Sequence, residues 1–425
     1  MFSRKRSLQA VSQNLTWFSK SGVMRPADGF WGVAERLACI EGNEAADRML
    51  ASFPCYSRVG EGVVAMEHRR PDCCLQTAWL FDLAADALNR PALRQVTESL
   101  LDYMTQRSHL RQRDAKRDAL GLWGWSNPIN ATTHYTDDNA WAVMLLLKLA
   151  ARNRPALKPL ALQTARTMHR HVKTYLERLA QIGWDGEGAP DAGIPMAGLL
   201  VNPHWIGLAC MALAHAAAAD PQHDYRDVID AYFPLALKGP PRSQRVHRPA
   251  PGLSRHWPFS EYAYLALAAS VVAHQFPDGP AGAVAREAGG ELLRSQHPDG
   301  HFPAEHGEAP AAPHLADLIY TENWAVLALQ HLQAWSGEPA YARAAEKSLR
   351  FLAGIQDPLD DPRFRGCWRG MFDTQAGAWG GGDHFEGGAN SIYSGWTNAP
   401  IAWAFLFNSG TGSLFADSDS LFSPF

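Results

Sequence analysis

Apolar helical segments with an aromatic residue near their start recur along this chain about every 60 residues, which indicates an internal repeat. The six aromatic residues are Trp79, Trp141, Trp205, Tyr262, Trp324 and Trp403. Each repeat must bury its apolar face against its neighbours, because one unit alone leaves that face exposed. The repeat therefore predicts an array of similar helical units.

Segments of a second kind lie between the apolar ones, for example 159–179 and 338–354. They place apolar residues at i, i+3, i+4 and i+7 and charged residues on the opposite face, a pattern typical of a half-exposed outer helix. Strand signals are limited to short stretches around 62–65 and 367–372. The alternation predicts an all-α fold, an (α/α)6 toroid, with residues 1–425 as one domain and long functional loops at one end.

The composition narrows the choice of partners. The chain has 425 residues, 46% of them hydrophobic, and a formal net charge of -4, which gives no electrostatic case for nucleic acid. No stretch is apolar enough over sufficient length to span a membrane, and the basic N-terminus lacks the apolar run of a secretory signal. We therefore predict a cytoplasmic protein, a monomer or homodimer, that binds neither nucleic acid nor membrane.

The sequence offers no sign of a metal or cofactor. Its six cysteines form no CxxC pair, and Cys210 and Cys367 lack the neighbouring histidine of a zinc toroid. The glycine-rich stretch 380–382 is followed by Asp383 and His384 rather than by the Lys and Ser or Thr of a phosphate loop. We predict free thiols, no metal and no cofactor.

Two acidic motifs nearly repeat each other ahead of apolar helices, YTDDNAW at 135–141 and YTENW at 320–324. Carboxylates at the start of a buried helix are costly to desolvate unless they are paired, hydrogen-bonded or used in chemistry. The structural alternative is helix capping, in which an Asp accepts backbone N–H bonds in the first turn. Capping explains one aspartate better than two, so Asp137 and Asp138 are candidates for chemistry.

In a toroid, the residues ahead of each inner helix meet at one end of the ring. These polar and aromatic groups suit a sugar, which presents hydroxyl groups and flat C–H faces, so we predict an oligosaccharide partner. Glycoside hydrolysis needs two carboxyl groups, and two adjacent carboxyls raise the pKa of one of them. The catalytic candidates are Asp137, Asp138, Glu322 and Glu261. The candidates for substrate binding are Trp125, Tyr135, Trp141, His204, His256, Trp324, Asp383, His384, Tyr393 and Trp396.

The motif Asp137-Asp138-Asn139-Ala140-Trp141 resembles the adjacent-aspartate motif of bacterial endo-α-1,6-mannanases. That resemblance implies an (α/α)6 toroid with these two aspartates as nucleophile and acid/base. Residues 196–205 are similar to an inner-helix start of unsaturated uronyl hydrolases, with Leu199 and Leu200 where an acid is expected. His256 ahead of Glu261 resembles the histidine and glutamate of N-acylglucosamine and cellobiose epimerases, which implies His256 as a base. His384, in the glycine-rich segment 381–386, is the candidate second base.

The motif QHPDGHF at 296–302 resembles a turn of terpene cyclases that ties helices together in many toroids. We expect this structural role here, because the acidic motif those enzymes require is absent from the sequence. The sequence therefore favours a glycoside hydrolase. A sugar epimerase is the alternative, and a non-enzymatic binding toroid, which would have no cluster of acids at the end of its ring, is the third.

Overall fold

The computed structural model describes residues 2–40, 50–51, 53, 55–240, 257–305, 312–381 and 387–421. Within these ranges lie twelve α-helices in two sets. The inner set comprises α2 Pro71–Ala87, α4 Thr136–Ala151, α6 Leu208–Ala219, α8 Phe259–Gln275, α10 Glu322–Ser336 and α12 Ala399–Asn408. The outer set comprises α1 Arg4–Lys20, α3 Arg94–Asp102, α5 Leu157–Ile182, α7 Arg226–Ala236, α9 Ala281–Ser295 and α11 Pro339–Ile355.

The inner helices form a closed ring. Each of them packs on the next along the chain, and α12 packs on α2 to complete the circle. The outer helices α3, α5, α7, α9 and α11 each pack on the inner helix that precedes them, whereas α1 packs on α12. The chain therefore has the predicted (α/α)6 toroid fold, with its last inner helix paired to its first outer one.

Burial separates the two helix sets as the sequence pattern predicts. In α4 every residue from 136 to 149 is buried, because this helix is apolar on all sides after its first turn. In α5 and α11 only one face is buried, and both helices coincide with the amphipathic segments predicted at 159–179 and 338–354. The division of residues 1–425 into a single domain stays a prediction.

Seven short strands lie among the described residues, more than the two stretches that the sequence predicts. They are β1 Arg36–Cys39, β2 Tyr56–Gly60, β3 Val63–Met66, β4 Leu315–Asp317, β5 Met371–Asp373, β6 Ala378–Trp379 and β7 Ser391–Tyr393. They form two antiparallel sheets, ordered β2-β3-β1-β7 and β4-β5-β6. Strands of two to five residues are too short to show a periodic pattern, which explains why sequence analysis misses most of them.

The turn at 296–302 ties two outer helices together, as expected. The side-chain amide of Gln296 donates to the Gly300 carbonyl at 3.1 Å and to the Ala344 carbonyl of α11 at 2.9 Å. It also bonds to the Ser348 hydroxyl at 2.9 Å. This turn therefore has a structural role in the packing of α9 and α11.

Residues 412–421 cover the end of the ring at which the inner helices finish. The Leu414 N–H donates to Nε2 of His331 at 2.9 Å, and Nζ of Lys148 donates to the Ser418 carbonyl at 2.6 Å. Burial lowers the pKa of Lys148 to about 8, although the carboxylates of Asp419 and Asp417 oppose the shift. The polar groups buried at this end therefore hold the C-terminal segment in place.

None of the helices in the described ranges is long and apolar enough to cross a membrane. The six cysteines are free, and four of them are buried.

Candidate active site

The inner helices begin at the end of the ring opposite residues 412–421, which we call the entrance end. Two groups of buried charged residues meet there. We call Glu35, Arg36, Arg70, Asp72 and Asp138 the acid cluster, and Asp137, His204 and Glu261 the histidine cluster. The adjacent residues Asp137 and Asp138 therefore belong to different clusters, because successive side chains on a helix point in different directions.

One guanidinium group holds the acid cluster together. Arg70 lies 3.0 Å from Oε1 of Glu35, 3.0 Å from Oδ2 of Asp72 and 3.2 Å from Oδ1 of Asp138. Nε of Arg36 lies 3.0 Å from the other oxygen of Glu35, and Asp72 forms a hydrogen bond with Asp138. Four of the five side chains are buried and that of Arg70 is 11% exposed, so their charges must be balanced locally.

Counting charges within the acid cluster places a proton on one carboxyl. Two arginines can balance two of the three carboxylates, and a third negative charge would be left over in a buried site. Burial raises the pKa of Asp138 well above its ordinary value, and Asp72 and Asp137 raise it further, although Arg70 opposes the shift. The elevated pKa favours the protonated form of Asp138, which is the form that a proton donor requires.

Glu35 shows the opposite behaviour. Burial alone would raise its pKa, but Arg36 and Arg70, with a smaller contribution from His68, lower it from 4.5 to about 2. A carboxylate whose pKa is depressed on folding stabilises the protein above its unfolded pKa, and this contribution disappears as the pH falls through the folded pKa.

We therefore expect Glu35→Gln to lower the free energy of unfolding by about 3 kcal/mol at pH 7. The difference between wild type and variant should shrink between about pH 5 and pH 2, because Glu35 becomes protonated in both states there. Urea unfolding of both proteins across that pH range measures this difference in the free energy of unfolding. A difference that stays constant with pH would contradict the assignment of this ionised group.

In the histidine cluster an imidazole lies between two carboxylates. Nε2 of His204 lies 3.2 Å from Oδ2 of Asp137, and Nδ1 lies 3.9 Å from Oε1 of Glu261. The backbone N–H of His204 donates to Oε2 of Glu261 at 2.9 Å. Burial raises the pKa of Glu261, which His204 opposes and Asp137 reinforces. Oδ1 of Asp137 is buried and has no hydrogen-bond partner among the described residues, so this oxygen is free to accept a proton or a bond.

Two π-helical turns bring distant residues into the site. Pro203–Gly207 precedes α6 and carries His204, and Ser394–Asn398 precedes α12 and carries Trp396. The Trp396 indole N–H donates to Oδ2 of Asp72, which joins the sixth inner helix to the acid cluster. π-turns are uncommon and occur often at functional sites.

Aromatic rings surround both clusters. The His204 ring stacks between Trp205 and Tyr264, with both centroid distances 4.6 Å, and Trp396 lies 5.2 Å away. Tyr135 stacks on Trp205 at 5.8 Å. Trp125, Tyr135, Trp205 and Tyr320 are half-buried, so their rings form a partly exposed wall beside the carboxyl groups. Such a wall can stack on the C–H faces of a sugar.

The asparagines of the two acidic motifs have the same structural role, whereas the acidic residues of the two motifs make different contacts. The amide of Asn139 bonds to the backbone of Trp123, and the amide of Asn323 donates to the Ile319 and Trp396 carbonyls, so each asparagine ties an inner helix to a nearby loop. Neither aspartate caps α4, whose N-terminus has no side-chain capping bond. The carboxylates of Asp137 and Asp138 contact the two clusters instead.

Glu322 faces elsewhere. Its Oε1 accepts the Phe302 N–H at 2.6 Å, beside the turn at 296–302, and burial raises its pKa well above the ordinary value. The structure therefore brings Asp137, Asp138, His204 and Glu261 together, whereas the contacts of Glu322 are with the structural turn.

The remaining predicted residues differ in how deeply they are buried. Trp141 and Trp324 are fully buried and stack on each other at 5.2 Å, below Trp396, which lies 5.6 Å from Trp324. Tyr393 is buried against Arg36, with its ring 4.4 Å from the guanidinium carbon. Trp125 lies at the wall, 5.8 Å from the Arg70 guanidinium carbon. Three predicted residues lie outside the described residues: His256, Asp383 and His384.

The structure adds residues that sequence reasoning does not select. Arg70 lies directly before α2 and Asp72 lies in its first turn, as the repeat requires, but nothing local distinguishes them from other residues at helix starts. Glu35 directly precedes β1, a short strand that pairs with β7, so no helical signal indicates it. Tyr264 lies within a continuous apolar helix and resembles a core residue. In the described part of the chain, no group of three or more His, Cys, Asp or Glu side chains is arranged to hold a metal ion.

Comparison with known proteins supports the fold. No protein-family model matches the chain, and no curated protein matches its sequence. Among solved structures, a D-mannose isomerase aligns with a TM-score of 0.61 and 10% identity over 95% of this chain and 97% of that one. An unsaturated glucuronyl hydrolase from Bacillus sp. GL1, responsible for the degradation of glycosaminoglycan, aligns with a TM-score of 0.55 and 12% identity over 94% and 96% of the two chains.

A cellobiose 2-epimerase from Bacillus thermoamylovorans aligns with a TM-score of 0.53 and 10% identity over 80% of this chain and 88% of that one. These three are sugar-processing enzymes, one a hydrolase and two that isomerise or epimerise sugars, and at such identities the similarity shows a shared fold. The likeness to endo-α-1,6-mannanases rests on the Asp137-Asp138 motif alone.

Proposed function

We propose that this protein is an enzyme that hydrolyses a glycosidic bond in an oligosaccharide. The observation that carries the proposal is the pair of buried carboxyl groups at Asp137 and Asp138, of which Asp138 contacts Asp72 and Arg70 and has a raised pKa, whereas Asp137 has an unpartnered oxygen. A protonated carboxyl group and a second carboxylate are the pair that glycoside hydrolysis requires.

The proposed roles follow from the contacts of each carboxyl. Asp138 donates its proton to the glycosidic oxygen, while burial and Asp72 keep that proton on Asp138 before the reaction against the opposing charge of Arg70. Asp137, with its unpartnered Oδ1, attacks the anomeric carbon or removes a proton from the attacking water. His204 holds the other oxygen of Asp137 and so fixes the orientation of that carboxylate.

The aromatic wall binds the sugar rings in this proposal. Tyr135 and Trp205 are stacked together and half-exposed, and Trp396 lies between the wall and the acid cluster through its bond to Asp72. An oligosaccharide bound along this wall would place a glycosidic oxygen near Asp138.

Sugar epimerisation is the second candidate, and His204 is the observation that favours it. An imidazole held between Asp137 and Glu261 can remove a proton beside a sugar carbonyl and return it. His204 would then replace the predicted bases His256 and His384, which lie outside the described residues. A non-enzymatic toroid is expected to have no cluster of acids at the entrance end, unlike the arrangement seen here.

The products formed from a panel of oligosaccharides test the two reactions. Hydrolysis yields shorter sugars and new reducing ends, and NMR of the first product reports whether anomeric configuration is retained or inverted. Epimerisation yields a sugar of unchanged length and, in D2O, incorporates deuterium at the carbon beside the carbonyl. Deuterated epimers without new reducing ends would overturn the hydrolase proposal. A cytoplasmic location and a monomer or homodimer remain predictions.

A further inference from the structure

A cavity of about 450 Å³ lies between two of the outer helices. It is bounded by the π-helical turn that follows α3, by the first turns of α5 and by residues of the segment 111–120. None of the residues of the acid cluster or the histidine cluster lines it. We call it the outer cavity, and its volume lies within the range of ordinary small-molecule sites.

Hydrogen bonds hold the walls of the outer cavity in place. Nη2 of Arg113 donates to the Thr105 carbonyl at 2.6 Å, which ties the segment 111–121 to the turn after α3. On the other side, Oγ1 of Thr164 on α5 donates to the Gly121 carbonyl at 2.6 Å. The segment is therefore anchored to both outer helices, and the cavity between them is a fixed part of the fold.

The charged residues that line the outer cavity are both arginines. They are the half-buried Arg111 and the exposed Arg113, and no Asp or Glu is among the lining residues in the described part of the chain. The nearby acids Asp102 and Asp114 pair with other arginines. The cavity therefore holds two positive charges without a carboxylate that belongs to it.

The guanidinium of Arg111 is only partly satisfied by the protein. Its Nη2 donates to Oε1 of Gln163 in the cavity wall, whereas Nη1 makes no hydrogen bond within the described ranges and, unlike Nε, is not enclosed. Burial and the positive charge of Arg113 lower the pKa of Arg111, and no carboxylate opposes the shift. An oxyanion in the cavity would offset this cost through charge-assisted hydrogen bonds.

Neutral donors and apolar groups complete the lining. Because Oε1 of Gln163 accepts a bond from Arg111, the NH2 group of the same amide is left to donate, and Gln106 brings a second amide to the cavity. Leu120 and Leu160 line it with apolar surface. The cavity thus combines cations, neutral donors and an apolar wall, which suits an anion that carries an organic group.

We propose that the outer cavity binds a phosphate monoester of a small organic molecule, with the phosphate group between the guanidiniums of Arg111 and Arg113. A phosphate monoester carries a charge of about −1.5 to −2 at pH 7, which two guanidiniums balance, and its oxygens suit their planar donors. Leu120 and Leu160 contact the organic group. This site goes beyond the proposed function and does not depend on it, because it shares no residue with either charged cluster.

Calorimetry on the whole chain at low salt tests the site with three probes: phenyl phosphate, glucose 6-phosphate and inorganic phosphate. We expect the wild type to bind at least one of the two esters more tightly than inorganic phosphate, because only an ester reaches the apolar wall. Arg111→Gln should weaken ester binding about tenfold or more, as for a lost charge-assisted bond. Arg350→Gln, on the outer surface and paired with Glu346, should leave it unchanged.

Arg113→Gln provides a second variant, because this side chain is exposed and its removal leaves the fold intact. We expect a smaller loss of ester affinity, about threefold, since solvent screens the charge of Arg113. Inorganic phosphate that binds through Arg111 while neither ester does would overturn the assignment to an organic phosphate. Absence of ester binding by the wild type, or equal ester affinities of the wild type and both cavity variants, would overturn the site itself.

Discussion

Replacing Asp138 with Asn should lower kcat by about 10² to 10⁴-fold while leaving the free energy of unfolding nearly unchanged. Both effects follow from the proton that the Asp138 carboxyl group carries. A protonated Asp and an Asn are both uncharged, so the charge balance of the acid cluster with Arg70 and Asp72 is preserved. Only the ability to donate the proton is lost. Steady-state kinetics and urea unfolding of the same preparation measure the two effects.

The leaving group provides an internal control for Asp138→Asn. An aryl glycoside with an acidic phenol needs little protonation to depart, so the variant should lose much less activity on it than on a natural oligosaccharide. Asp72→Asn should instead shift the alkaline limb of the pH profile to lower pH, because Asp72 helps to raise the pKa of Asp138. Equal losses on both substrates, or a strongly destabilised Asp138→Asn protein, would contradict the role of Asp138 as a proton donor.

Replacing Arg70 with Met should destabilise the protein by about 3 to 5 kcal/mol, the range seen when one partner of a buried ion pair is removed. Glu35 would keep Arg36, but Asp72 and Asp138 would lose the cation between them. The pKa of Arg70 is raised well above its ordinary value because, although burial lowers it, Asp138 and Asp72 oppose burial more strongly. The free energy of unfolding from urea titration at pH 7 measures this loss.

A surface arginine in the same chain serves as the matched control for Arg70→Met. Arg350 is 63% exposed at the side chain and pairs with Glu346 one turn away on α11, so Arg350→Met should lower the free energy of unfolding by only about 0.3 to 0.5 kcal/mol. The effect of Arg70→Met should also decrease at low pH, where the carboxyls that it leaves behind become protonated. Equal effects of the two substitutions would show that Arg70 is not the central charge of the acid cluster.

The toroid itself was predictable from the sequence, because its cause is periodic. Apolar inner helices and amphipathic outer helices alternate along the chain. This alternation can be recognised from residues such as Trp141 and Trp324 whatever the sequences of the loops between the helices. The position of Asp137 and Asp138 at the entrance end follows from the same periodicity. The short sheets have no such pattern, and Glu35, placed just before β1, therefore escapes sequence analysis.

The role of each carboxyl group also depends on its contacts in the folded chain. Asp138 and Glu322 occupy similar positions in two repeats, yet one hydrogen-bonds to Asp72 and the other to the backbone of Phe302. The sequence around Asp138 and Glu322 does not distinguish these partners, because each partner comes from another repeat. Likewise, His204 is one of several histidines near helix starts, and its π-turn and its two acidic neighbours become visible only in the folded chain.

The pairing of α1 with α12 has a consequence for how the protein is made. The acid cluster joins Glu35 to Arg70 and Asp138, and the indole of Trp396 completes it from the last hairpin of the ring. A ribosome must therefore synthesise almost the whole chain before these groups can meet. Contacts between such distant residues form slowly, since closing a long loop opposes them. We expect the charged groups of Glu35 and Arg70 to remain hydrated during translation and to be desolvated only when the ring closes.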